Sequence, residues 1–310
     1  MKHKVFLFVI FLLFFFMMSV PDVVLSAAAG GLIMWFQTVL PTLFPFLVIT
    51  GMMIKSDAVY YVSRLTGGMF SSLFHISGPA VFAVLGGFLC GYPMGAKITS
   101  DLIISNKLTR EEGEYLLSFC NNTSPAFIVS YIFLQNLHKP DMALISLSAL
   151  VLSPVFCSFL FRRWHKVESD SSVWKQKNLR KLTMGELLDD CITDSSETIM
   201  KIGGYIIVFQ IVSAMLSLLP IHGFLWDYIL LPAVEITGGI RLLSNADLRF
   251  EIRYILIMAL TSFGGLCAIF QTQCMVKESG LSIGCYIKEK LVTALVTSLI
   301  SIWILIFFHN

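Results

Sequence analysis

No charged side chain falls within residues 5–21, 23–54, 65–96, 115–138, 142–161, 202–226, 254–276 or 291–310. Each stretch is long enough, or nearly so, to cross a hydrocarbon core that takes about 20 apolar helical residues. Closed β-barrels also span bilayers, because they too satisfy every backbone hydrogen bond internally, but their strands alternate apolar and polar residues in segments of about 10. Continuous apolar runs such as 5–18 and 298–308 do not alternate. Only 14% of the chain is charged and 56% is hydrophobic, with a mean hydropathy of +0.79, whereas a soluble domain carries about 25% charged residues. A single soluble domain is excluded. The sequence predicts an all-α, polytopic integral membrane protein with about 7–9 membrane helices, some of them broken or re-entrant.

A net charge of +2, from 22 basic and 20 acidic residues, gives no reason to expect a nucleic-acid partner. Seven cysteines, Cys90, Cys120, Cys157, Cys191, Cys267, Cys274 and Cys285, contain no C-x-x-C pair and fall mostly within or beside apolar segments, where cysteine is a small packing residue. The six histidines are scattered singly. No metal site and no cofactor are expected, and no catalytic Ser/His/Asp set, facing carboxylate pair or phosphate loop suggests an enzyme.

Met1-Lys2-His3-Lys4, an apolar run and then Ser26-Ala27-Ala28-Ala29 have the three-part form of a secretory signal. Pro21 and Asp22 interrupt the run, and the next apolar stretch starts at Val23 with no polar domain between. Residues 1–22 therefore read as a first transmembrane helix.

The long polar interval 162–201 holds eight of the 22 basic residues, so it should be cytoplasmic. Basic residues also flank 75–96 on both sides, Lys55 and Arg64 before it and Lys97, Lys107 and Arg110 after it, which makes that segment a re-entrant hairpin from the cytoplasmic side. Lys2 and Lys4 join this inner set, leaving Lys139, Arg241, Arg249, Arg253, Lys277, Lys288 and Lys290 outside. An internal repeat accompanies this arrangement. Pro45-Phe46-Leu47-Val48-Ile49-Thr50 matches Tyr205-Ile206-Ile207-Val208-Phe209-Gln210, Thr66-Gly67-Gly68-Met69 matches Thr237-Gly238-Gly239-Ile240, and Gly86-Gly87 matches Gly264-Gly265. The helices around Val48 and Val208 run in opposite directions in this topology. Two inverted-topology repeats, 23–161 and 202–310, are the sequence mark of secondary transporters, whose sites lie at midplane helix breaks.

Breaks occur where such a site needs them. Gly91-Tyr92-Pro93-Met94-Gly95-Ala96-Lys97 ends an apolar arm and opens an amphipathic one, with Pro93 suited to a first helical turn and Lys97 one turn in. Asn121-Asn122-Thr123-Ser124-Pro125 interrupts the next segment, with Ser124 as N-cap and Pro125 as N1 of a half-helix. Two helix N-termini, a lysine, and side-chain amides and hydroxyls favour an anion or a polar ring. In the second repeat Gln271, Thr272 and Gln273 follow Gly264-Gly265, either lining the same path or bonding between helices. Glu235, acidic in an apolar setting, suits proton coupling or a place at the membrane edge.

The motifs at 91–97 and 120–128, with Leu40-Pro41-Thr42-Leu43-Phe44-Pro45-Phe46, resemble those of the sporulation integral membrane proteins of the YlbJ type, also called stage V sporulation protein V. The resemblance covers nearly the whole chain. It implies two nucleoside-recognition (Gate) domains and a transporter that moves dipicolinic acid across the outer forespore membrane by alternating access. Tyr92, Pro93, Gly95, Lys97, Asn121, Asn122, Thr123, Ser124, Gln271 and Gln273 are then the expected substrate-binding residues. The expected partners are the bilayer, a small anion such as dipicolinate and, since Gate-type transporters often oligomerise, further copies of the chain. A nucleoside or another small anion suits the same polar core. A non-transporting assembly factor, docking a partner through 162–201, is the alternative from a different class.

Overall fold

The computed structural model describes residues 2–165 and 183–308. Its helices, in order, are α1 (Lys2–Ser19), α2 (Pro21–Met34), α3 (Leu40–Lys55), α4 (Val59–Phe74), α5 (Gly78–Cys90), α6 (Met94–Ile104), α7 (Arg110–Cys120), α8 (Ala143–His165), α9 (Met184–Leu216), α10 (Ile236–Ser244), α11 (Phe250–Phe263), α12 (Gly265–Val276) and α13 (Ile283–Phe308). A π-helical turn, Trp35–Val39, joins α2 to α3, and another π-helical stretch, Phe127–Asn136, continues beyond α7. No strand occurs among the described residues.

Among the described residues, five helical segments are long and apolar enough to cross a bilayer: Pro21–Lys55, Pro140–His165, Met184–Leu216, Phe250–Val276 and Ile283–Phe307. The pair Gly68–Phe74 and Gly78–Cys90, bent by 88°, counts as a sixth span or a re-entrant loop, and Ile10–Ser19 and Phe127–Asn136 are shorter apolar helices. Large apolar side chains such as Phe15, Leu65, Phe156, Leu295 and Trp303 lie on the outside. Water would not tolerate so much exposed hydrocarbon, but lipid is its natural solvent. The protein is a multi-pass membrane protein.

One set of charged contacts lies together at one end of the bundle. There Lys55 pairs with Asp194 at 2.6 Å, Lys107 with Asp57, and His165 with Glu289 at 2.5 Å. Glu112 accepts from the Ser77 amide and hydroxyl, and Glu114 from the Ser282 amide at 2.7 Å. Burial pushes the Glu112 carboxyl up, against the opposing bonds from Ser77. Lys139 lies over the Phe250 ring at the other end. Since α5 starts beside Ser77 and α6 finishes just before Lys107, both arms of a hairpin with its tip at Gly91-Tyr92-Pro93 meet the charged end; the returning arm runs to Ile104, past the expected end at 96, so Lys97 lies within it rather than flanking it. Gly86 and Gly87 allow the arms to close: a Cβ at Gly86 would lie 2.2 Å from Ile98, and one at Gly87 3.0 Å from the Gly95 Cα.

This arrangement corrects the charge assignment. Lys277 and Lys288, expected on the outer side, belong to the same end as Arg110, because α11 and α12 form one span, Phe250–Val276, that starts beside Lys139 and returns to the charged end. Gly280 lies against Arg110 there. The matched glycines also differ in role. Gly86-Gly87 sits inside α5, whereas Gly264 and Gly265 have φ of +89° and +82° and break α11 from α12 without reversing the chain.

Half of the polar interval is helix. Thr183 and Glu186 form a reciprocal capping box that starts α9 at Met184. Leu187, Cys191, Ser195, Ile199, Ile202 and Ile206 then recur at helical spacing as its buried stripe. The α2–α3 arm packs antiparallel to α9, with Gly31 against Ile207, the Trp35 indole donating to the Ile199 carbonyl at 3.0 Å, and Lys55 at Asp194. The remaining part of the interval, 166–182, lies outside the described residues.

Candidate functional site

Three interruptions meet in the interior: the α5–α6 tip, the break 121–124 after α7, and the Gly264 break between α11 and α12. Close approach requires glycine at the first and third. A Cβ at Gly91, where φ is +87°, would come within 2.7 Å of the Ser124 nitrogen, and one at Gly264 within 2.8 Å of the Tyr92 ring. Tyr92 donates its hydroxyl to the Ser262 carbonyl at 3.2 Å, and Thr123 donates to the Thr261 carbonyl at 2.9 Å. Gly95 lets α6 lie on the end of α7, with the Cys120 carbonyl 2.6 Å from where its Cβ would be.

Asn121 is the hub. Its Oδ1 accepts from the Ala96 amide at 3.3 Å, capping the start of α6 from another element. Its Nδ2 donates to Thr272 Oγ1 at 2.9 Å and to the Tyr286 hydroxyl at 3.0 Å. Asn122 Nδ2 donates to the Phe119 carbonyl at 2.6 Å. Ser124 caps its own half-helix as expected, its Oγ accepting from the Phe127 amide at 3.3 Å. Both N-termini anticipated for an anion thus already have acceptors, and Pro93 is the residue before α6 rather than its first.

The lysine at this junction is Lys290. Only 1% exposed, it projects from α13 and donates to the Asn121 carbonyl and to Asn122 Oδ1, both at 3.0 Å. Its third side faces the Tyr92 ring, 5.1 Å from the centroid. The free carbonyl end of α7 is a favourable place for a cation. Every one of these partners is neutral, and no ion pair among the described residues includes Lys290. Lys97 instead pairs with Asp101 on α6 at 2.6 Å, because the i,i+4 spacing offers it a carboxylate on its own helix.

In the sequence, Lys290 is masked by its neighbours, because Lys288-Glu289-Lys290 looks like a polar flank before the apolar run 291–310. The available signal was a buried polar stripe at helical spacing: Tyr286, Lys290, Thr293, Thr297 and Ser301. Thr297 extends the cluster by donating to Ser262 Oγ at 2.9 Å. In the triplet after Gly264-Gly265 only Thr272 reaches the junction. Gln271 is buried against Cys267 Sγ at 3.5 Å, and Gln273 is exposed on the other face of α12.

Glu235 lies elsewhere, as the N-cap of α10. It is 2% exposed and accepts from the Thr237 and Gly238 amides at 3.1 and 2.8 Å, from the Thr237 hydroxyl at 2.5 Å and from Gln210 Nε2 at 2.7 Å. Gln210 in turn lines a cleft of about 480 Å³ with Asp22, Ser26 and Arg241. Among the described residues no cluster of three or more His, Cys, Asp or Glu is placed to hold a metal ion.

Comparison with known proteins agrees with the membrane architecture. The "Sporulation integral membrane protein YlbJ" of Bacillus subtilis (strain 168) is 25% identical over 298 residues, which takes in 85% of this chain and 73% of that protein. The chain is similar to a sporulation integral membrane protein. That likeness supports the resemblance carried by the motifs at 91–97 and 120–128. No family model matches the chain, and no solved structure matches it.

Proposed function

We propose that the chain is a transporter for a small aromatic dianion of the dipicolinate type, serving spore formation from the outer forespore membrane. The observation that carries this reading is the meeting of three broken segments within the membrane-spanning region, two of which hold one buried cation, Lys290. Irregular backbone and ionisable groups at membrane depth are costly and persist where they serve a pathway. The sporulation role rests on the likeness to the B. subtilis protein. Two Gate-like repeats, 23–161 and 202–310, would move against each other about the junction, and the antiparallel packing of the α2–α3 arm against α9 supports an inverted relation between them. In this reading the protein performs no covalent chemistry, and Glu235 holds α10 in place.

The test is uptake of labelled dipicolinate into proteoliposomes carrying the purified full chain, with uridine as competitor. Saturable uptake that unlabelled dipicolinate blocks and uridine does not is the expected result. Uptake or stabilisation by uridine alone would point to a nucleoside carrier. Neither, with normal spore dipicolinate in a deletion strain, would point to an assembly factor.

A further inference from the structure

Resting on the transport reading, we infer that the Lys290 ammonium receives a carboxylate of the substrate, and that its bonds to Asn121 and Asn122 form a latch the substrate releases. An ammonium carries three donors and no acceptor. Two of them are spent on a backbone carbonyl and a side-chain amide oxygen, and the remaining side faces the Tyr92 ring. Neutral dipoles offset the dehydration of a cation only in part, and a carboxylate offsets it far better. Lys107, the other buried lysine among the described residues, has Asp57 for that purpose. Lys290 has no such partner among the described residues.

The partners are placed so that an exchange matters mechanically. Lys290 belongs to the continuous helix α13, while Asn121 and Asn122 belong to the non-helical break after α7. Their two bonds to Lys290 tie the break to α13, and Asn121 also ties it to α6 and α12. A carboxylate that takes the ammonium frees the Asn121 carbonyl and the Asn122 amide oxygen, and leaves the Asn121–Tyr286 bond as the remaining side-chain tie of these two residues to α13, loosening the broken segment from the unbroken one. Tyr92 covers the same ammonium from the hairpin tip, so a ligand with a flat ring beside its carboxylate finds a stacking surface next to the charge.

The test compares dipicolinate with its neutral analogue pyridine-2,6-dicarboxamide, which keeps the ring and loses the charge. Binding is read by thermal stabilisation of the full chain in detergent. The intact protein should bind dipicolinate at least about tenfold more tightly than the diamide, the scale of one charge-assisted hydrogen bond. Lys290→Met should abolish that preference, and Lys290→Arg should keep most of it. Asn122→Asp should also abolish it while raising the melting temperature, because an internal carboxylate then occupies the ammonium; this variant carries the test if Lys290→Met does not fold. If the intact protein binds neither compound, the transport reading fails and takes the latch with it. If it prefers dipicolinate and both Lys290→Met and Asn122→Asp keep the preference, only the role of Lys290 is overturned.

Discussion

Gly87 shows how little room the interior leaves. A Cβ there would lie 1.9 Å from the Cys120 carbonyl oxygen, an atom of a backbone that cannot step aside. Gly87→Ala is expected to destabilise the fold by about 1–3 kcal/mol, the usual cost of overpacking, which a lowered melting temperature would show; an unchanged one would mean that α5 and α7 sit further apart. Thr272→Val tests the hub more gently. It removes one acceptor of the Asn121 amide but leaves Tyr286, so a loss of about 1 kcal/mol is expected. At this scale the sequence exposed Tyr92 and Asn121 through Ser124, because polar residues and proline inside apolar runs are conspicuous. It hid Lys290, and it did not single out Thr272 from Gln271 and Gln273. A lysine beside Lys288 and Glu289 looks like the end of a span, and a threonine between two glutamines looks like the least of three; only the helix phase shows that each points inward.

Single helices behave as their local chemistry directs. The α9 start depends on the Thr183–Glu186 box, so Thr183→Ala should cost about 1 kcal/mol. Hydrogen exchange should quicken in the first turn of α9 and stay unchanged around Ile206. Equal protection in both proteins would show that the stripe beginning at Leu187 suffices alone. The breaks at Gly91, Ser124 and Gly264 were legible as interruptions. Their geometry was not, since Gly91 turns the chain back while Gly264 lets it continue, and the difference is set by what each tip packs against: the Ser124 backbone for one, the Tyr92 ring for the other. The polar interval 162–201 reads as a loop by composition. Its second half is helix, since one apolar residue in four is enough to seat a helix on a neighbour.

For the molecule as a whole, the placement of α11–α12 as one span brings Arg110 and Lys277 to the same end, with Lys139 at the other. In a cysteine-free background, Arg110→Cys and Lys277→Cys should react with a membrane-impermeant maleimide from one side of the membrane and Lys139→Cys from the other. Labelling of Lys277→Cys from the Lys139 side would overturn the described path. The sequence by itself determined that this chain is a helical membrane protein, because uncharged runs of span length have one other solution and their pattern excludes it. It also determined where the helices break, because glycine, proline and clustered polar residues carry that information locally. Only the tertiary structure decided which breaks meet and which cation they enclose. That outcome depends on the rotation of α13 about its own axis and on the direction of the chain after each glycine, both set by packing between segments more than a hundred residues apart.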